Sequence, residues 1–303
     1  MTTDISDDRL TRFLLEQAGV RGVHVRLDDT WAQIRARADY PDDVAALLGE
    51  SVAAAALFTG HVKVDGRLSV QLRGDGALRT LFAECTGAGT VRAIATLTES
   101  EGGQTGVHTL TSLGPGALLA ITIENPAAHG QDPARYQGLV ALDADTLSTA
   151  FEGYFRQSEQ LQTRLLLAAN GERVCGLMLQ KLPGDAGDSD GWGRASALFD
   201  TLVAAELLDT PVETLLHRLF HEDDVRLLGG KPLRFACSCS RERVSAMLES
   251  LGEEEARAAA ESNAGVAEIR CEFCAETYRY SDADISTLFT AQPAQWEAPE
   301  RLQ

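Results

Sequence analysis

Two short cysteine pairs, Cys237-Ser238-Cys239 and Cys271-Glu272-Phe273-Cys274, constrain this chain more than any other feature. Cysteines one or two residues apart can aim both sulfurs at one ion from a single turn of chain, and two such turns close a tetrahedron of soft ligands. The pairs stand 31 residues apart, which supplies that arrangement. Zinc is the first ligand the spacing points to.

Four thiolates around a divalent cation leave a net charge near −2, and Lys231, Arg234, Arg241, Arg243 and Arg270 lie close in sequence to offset it. Metal binding and folding are then linked, because apparent zinc affinities of about 10 to 16 kcal/mol in small modules supply most of the stability of a lobe. Thiolates are also what oxidants attack, and each pair carries its own resolving partner. Cys237 with Cys239 and Cys271 with Cys274 can each close locally, although the very short CxC ring is strained and readily reduced. From spacing alone, a site that only holds a fold is the plainer reading. Cys85 and Cys175 lie in apolar, strand-like runs and read as buried, inert thiols without a role.

The 303 residues allow two domains. With 45 acidic against 27 basic side chains the net charge is −18, which disfavours nucleic acid and anionic membrane surfaces as partners. The opening Met1-Thr2-Thr3-Asp4 has no basic n-region, and no stretch is expected to reach the roughly 18 apolar residues of a membrane span, so a cytoplasmic location is expected. In that reducing compartment clustered cysteines point to metal or redox chemistry rather than to a disulfide framework.

Val23, Val25 and Leu27 alternate as in a strand, and Val44, Leu47, Leu48, Val52, Ala55 and Ala56 follow helical spacing up to Gly60. Asp65-Gly66 between Val62, Val64 and Leu68, Val70, Leu72 predicts a β-hairpin, with another turn at residues 73–76. Further strands are predicted over 91–97, 118–123 and 136–142, a helix over 146–158 and a hairpin around Asn170-Gly171. Residues 1–182 therefore read as an α+β domain.

Composition shifts at residues 183–191, a run of turn formers and acids. From 183 to 230 there are ten acids against three arginines, yet Leu198, Leu202, Leu207, Leu208, Val212, Leu215, Leu216, Leu219 and Phe220 form apolar stripes on two or three short helices. Such helices are marginal alone in water, so this segment reads either as a conditionally ordered, metastable linker or as a helical linker packed permanently on its neighbour. Residues 231–291 form the predicted zinc-binding module, with helices over 241–251 and 253–260 and strands over 266–270 and 277–280. Residues 292–303 form a tail.

His217 and His221 stand four apart on one predicted helix, but four cysteines already satisfy zinc. The glycines at 86–89 and 114–116 lack the frames that cradle phosphates and read as turns, and neither HExxH nor GxSxG is present. Nothing here supports catalysis.

The chain resembles the heat-shock protein 33 family, the redox-regulated 33 kDa chaperonins of bacteria. The likeness rests on Phe235-Ala236-Cys237-Ser238-Cys239-Ser240-Arg241-Glu242-Arg243, on Cys271-Glu272-Phe273-Cys274, on Tyr154-Phe155-Arg156-Gln157-Ser158-Glu159-Gln160 and on Leu219-Phe220-His221-Glu222. It implies Cys237, Cys239, Cys271 and Cys274 as ligands of one zinc per chain in a reduced, inactive state, and disulfides Cys237–Cys239 and Cys271–Cys274 after oxidation. It further implies a non-enzymatic, ATP-independent holdase whose linker unfolds as zinc leaves. Unfolded or oxidatively damaged proteins are the implied clients, with a homodimer as the active form and hand-over to ATP-dependent foldase chaperones. Two readings of other classes remain: a thiol-disulfide oxidoreductase using Cys271 and Cys274, and a structural zinc ribbon that binds nucleic acid.

Overall fold

The computed structural model describes residues 7–62, 64–98, 110–127, 134–184 and 187–290, so the expected tail at 292–303 lies outside the described residues. The chain divides between Ala236 and Cys237 into two compact units. The first runs β1 (Arg9–Leu15), β2 (Val20–Leu27), α1 (Asp29–Arg35), α2 (Asp42–His61), β3 (Arg67–Arg73), β4 (Leu78–Thr86) and β5 (Thr90–Leu97). It continues through β6 (Leu118–Asn125), β7 (Ala134–Val140), α3 (Leu147–Ser158), β8 (Thr163–Ala169) and β9 (Val174–Lys181). Three short helices, α4 (Gly191–Phe199), α5 (Ala204–Asp209) and α6 (Val212–Phe220), then precede β10 (Val225–Pro232) and β11 (Arg234–Phe235). The architecture is α+β, as the sequence indicates.

Two sheets carry the first unit. One has the order β10-β1-β2-β9-β8 with antiparallel neighbours throughout, and the other the order β11-β5-β4-β3-β6-β7, where β11 joins β5 in parallel. Helix α2 lies between them. Asp42 and Asp43 in its first turn favour a helix start, and the small side chains Ala53, Ala54, Ala55 and Ala56 are fully buried. The approach to the first sheet is close enough that a Cβ on Gly49 would sit 2.6 Å from the Ala169 Cβ, and one on Gly176 2.7 Å from a Leu57 methyl. Against the sequence expectation, α2 is long and apolar enough to cross a membrane by length and composition; 72% of its apolar stretch is instead buried inside this unit.

The opposite face of the first sheet presents Phe13, Leu15, Val20, Cys175, Leu177 and Leu179, and these pack with Phe199, Leu207, Leu215 and Phe220 of the helices α4 to α6. Helix α6 buries Val212, Leu215, Leu216, Leu219 and Phe220 on one side, the stripe its sequence shows. Arg194 on α4 binds Asp188 at 3.1 Å and holds the fully buried Asp223, just beyond α6, through its Nε at 3.1 Å. The described part of the segment expected as a linker, 183–230, thus forms a helical layer on the first sheet and the greater part of its edge strand β10.

Among the described residues no strand lies between α2 and β3, so the hairpin predicted at Asp65-Gly66 is not seen. Leu68, Val70 and Leu72 are in β3, which pairs with β4 on one side and β6 on the other, so the preceding segment has no ladder to join. Val62 instead follows α2, and its N–H closes the helix on the Phe58 carbonyl. The hairpin at Asn170 is present as β8–β9, with the Asn170 side-chain oxygen accepting from the N–H groups of Glu172 and Arg173 at 2.9 and 2.7 Å.

The second unit consists of α7 (Arg241–Leu251), α8 (Glu253–Glu261), a β12 (Val266–Arg270)–β13 (Thr277–Ser281) hairpin and α9 (Asp282–Thr290). Its core is small: Val244, Leu248, Ala256, Ala260, Ala267, Tyr280 and Ile285. A core with three alanines among so few buried side chains leaves little hydrophobic stabilisation, the situation in which small domains recruit a metal.

Candidate metal centre

The four cysteines of the two pairs converge in the second unit, their sulfurs all within 4.8 Å of one another. The first pair sits on the segment that enters α7, where Ser240 caps the helix by accepting from the Arg243 N–H at 3.3 Å. Arg243 in turn donates to the Ser238 carbonyl at 2.8 Å, which folds the Cys237–Cys239 turn back on the helix start. The second pair is the loop of the β12–β13 hairpin. Cys271 N–H bonds the Glu276 carbonyl and Ala275 N–H bonds the Cys271 carbonyl, both at 2.8 Å, while Ala275 takes a left-handed φ of 61° to close the loop.

The two turns meet sulfur to sulfur: Cys239 Sγ lies 3.3 Å from Cys274 Sγ, and Cys237 Sγ 3.6 Å from Cys271 Sγ. A tetrahedral ion held by thiolates at about 2.3 Å separates neighbouring sulfurs by roughly 3.8 Å, so the donor set fits such an ion with small adjustment. All four are free cysteines in this arrangement. Burial resists ionisation of Cys237, but hydrogen bonds from the Cys239 N–H and from the other three thiols outweigh it and bring the group down to about 7. Burial pushes Cys239 and Cys274 upward. Hydrogen bonding thus favours a thiolate at Cys237 and burial opposes one at Cys239 and Cys274, and a divalent cation is what would ionise the set.

Residues beyond the cysteines brace the site. Tyr278 on β13 donates its hydroxyl to Cys239 Sγ at 3.2 Å. Two residues further, on the same strand face, Tyr280 donates to the Arg241 carbonyl at 2.9 Å while the Arg241 guanidinium stacks over the Tyr280 ring at 4.3 Å. Arg241 also donates to the Arg279 carbonyl at 3.0 Å. The first turn is thereby fastened to the strand that follows the second. The Tyr278 and Tyr280 pair was the available signal in sequence, as an alternating aromatic pair just after the CxxC.

Of the five basic residues expected to offset the thiolate charge, Arg241 and Arg243 are placed at the first turn as described. Lys231 and Arg234 belong to the first unit, where the Lys231 ammonium donates to the Thr86 and Gly87 carbonyls at 3.5 and 3.3 Å. Cys85 and Cys175 are fully buried in two different cores of that unit, and burial pushes them up to about 11 and about 12. His217 and His221 lie with ring centroids 5.7 Å apart on the solvent side of α6.

Fold and site define a protein of two compact units in which four cysteines are positioned to hold a metal ion. The profile described as Hsp33 protein matches residues 8–281. A 33 kDa chaperonin of Ectopseudomonas mendocina is 43% identical over 98% of this chain and 99% of its own length, and one of Chromobacterium violaceum is 41% identical over 93% and 94%. The solved structure of the 33 kDa chaperonin of Thermotoga maritima shares the fold with a TM-score of 0.76 at 17% identity, over 93% of this chain and 98% of that one. The chain belongs to the Hsp33 family of chaperones.

Proposed function

We propose that this protein is a redox-regulated, ATP-independent holdase. In its resting state Cys237, Cys239, Cys271 and Cys274 hold one Zn2+, which ties both cysteine turns together and supplies stability that the small core of the second unit lacks. Oxidation forms Cys237–Cys239 and Cys271–Cys274. Each S–S bond forms from two thiolates and releases two electrons, which reduce one hydrogen peroxide to two waters with two protons taken from solvent. The sulfurs of a disulfide close to about 2.05 Å and are no longer thiolate donors, so the metal site and the second unit's fold are lost together.

The proposed domains are a core at 1–182, a metastable linker at 183–230, a zinc-binding module at 231–291 and a tail at 292–303. The linker reading is supported by the helical layer. Three short helices in an acidic segment cover an apolar sheet face made of Phe13, Leu15, Val20 and Leu177, and removing them would leave a sticky surface suited to unfolded clients. The active form is a homodimer that passes clients to ATP-dependent foldases, it acts in the cytoplasm without membrane or nucleic acid, and it is not an enzyme. The net charge of −18 supports the absence of nucleic-acid binding and argues against the zinc-ribbon alternative.

The observation that carries this reading is the convergence of all four sulfurs within 4.8 Å. Peptide mass mapping after peroxide treatment, beside a zinc assay, tests it: loss of one zinc per chain with the two local disulfides is expected. A cross-linked Cys239–Cys274 or unreacted thiols would refute the pairing, and catalytic insulin reduction would favour the oxidoreductase.

A further inference from the structure

The Tyr154–Gln160 motif serves neither the metal centre nor the helical layer. In the first unit it borders a cleft of about 270 Å3 whose apolar wall includes Phe58, Leu68, Ile121, Ile123 and Phe155. A cavity of about 150 Å3 takes a benzene ring, so this one has room for a ring and a short chain. One end is polar. The Tyr136 and Tyr154 hydroxyls each lie 2.9 Å from Glu159 Oε1 and 2.9 Å from each other.

Each phenol has one proton, and both are consumed within this trio, so the trio offers oxygen lone pairs and a carboxylate but no spare donor, while the unpartnered Nδ1 of His61 is itself buried. The fold keeps that end in place: a Cβ on Gly138 would stand 2.2 Å from the Tyr154 oxygen. Burial, with the hydrogen bonds to Tyr136 and Glu159, holds the Tyr154 phenol above its usual range and therefore protonated. His61, which also lines the cleft, is kept neutral because burial and the neighbouring Arg21 push it down to about 3. Among the described residues of the lining, Glu159 is thus the charged group.

We propose that this cleft binds a small hydrophobic amine, with its ring or branched chain against the apolar wall and its ammonium donating to Glu159 and the phenol oxygens. A carboxylate ligand would meet Glu159 with like charge, and a neutral one would lose the charge-assisted hydrogen bond. The site lies in the first unit and needs neither zinc nor oxidation.

Calorimetric titration of the full-length reduced protein with phenethylamine, phenethyl alcohol and phenylacetate tests this. Phenethylamine should bind saturably, one per chain, at least tenfold tighter than either analogue. Glu159→Gln, at an exposed carboxylate, should remove that preference, and Ile123→Trp should fill the cleft and abolish binding. If Ile123→Trp does not fold, the Glu159→Gln comparison still decides. Absent binding, equal affinity for the alcohol or an unchanged Glu159→Gln titration would overturn the proposal; equal affinity would point to apolar side chains of a polypeptide as the occupant.

Discussion

The hydroxyl of Tyr278 donates a hydrogen bond to the sulfur of Cys239 at 3.2 Å, tying the strand after one cysteine turn to a donor atom on the other. Groups that bond to metal-ligating atoms typically alter metal affinity by about 10- to 100-fold when removed. Tyr278→Phe is therefore expected to weaken zinc about tenfold in a chelator competition and to hasten peroxide-driven zinc release. An unchanged chelator midpoint would place Tyr278 outside the site's energetics.

Cys175 and Cys85 are both fully buried, but in different places: Cys175 under the helices α4 to α6, Cys85 between the second sheet and α2. If oxidation releases the helical layer, a maleimide should label Cys175 in the oxidised protein and leave Cys85 protected. Protection of both thiols after activation would mean that the layer stays in place.

The ion pair between Arg194 and the buried Asp223 joins α4 to the chain beyond α6. Removing one partner of a buried pair leaves the other uncompensated. Asp223→Ala should loosen the layer without any oxidant, giving Cys175 labelling and partial suppression of client aggregation in the reduced, zinc-loaded protein. Labelling no faster than in the parent would show that the pair does not hold the layer.

His24 lies on the β2 face beneath the helical layer, 1% exposed, with neither ring nitrogen hydrogen-bonded. Burial first, then the charges of Arg26 and Arg9, push its pKa down to about 3. The unfolded chain takes up a proton here near pH 6.5 and the native chain does not, so the His24 contribution is intact above 6.5 and is lost as the pH falls toward 3. The loss runs at about 1.4 kcal/mol per pH unit. Buried His61 acts in the same sense, whereas Glu50, raised by burial to about 7, acts oppositely as the pH rises through that value. Comparison with His24→Leu isolates one proton. Urea melts at pH 6.5 and 5 should show the parent losing about 2 kcal/mol more than the variant over that interval; parallel losses would contradict the assignment.

The cysteine centre was legible because ligand spacing is a local property, and Cys237, Cys239, Cys271 and Cys274 carry it in a few residues each. Helix α2 was legible from its period and its acidic start, although its Ala-rich run says nothing of the two sheets that bury it. β1 was missed because both of its faces are buried, Leu10 in the core that holds α2 and Phe13 and Leu15 under the helical layer, so no simple alternation of apolar and polar residues marks it. β10 was missed because Gly229, Gly230 and Pro232 argue against a strand, and only pairing along β1 makes one. The false hairpin at Asp65-Gly66 has the same origin: turn chemistry is local, but whether Val62 and Val64 find a partner depends on β4 and β6 having already claimed both edges of β3. The alternation of Tyr278 and Tyr280 after the CxxC was visible in sequence, but their partners Cys239 and Arg241 lie 39 residues away, so what the two rings brace was not.

The central claim is that sulfur oxidation, metal loss and client holding are one event. Zinc release by a colorimetric chelator and light scattering of a thermally unfolding client, followed in the same peroxide-treated sample, test it directly. One zinc per chain is expected to appear with the same time course as protection, and both to reverse on reduction with zinc added back. Full protection while the zinc remains bound, or complete zinc loss without protection, would contradict it.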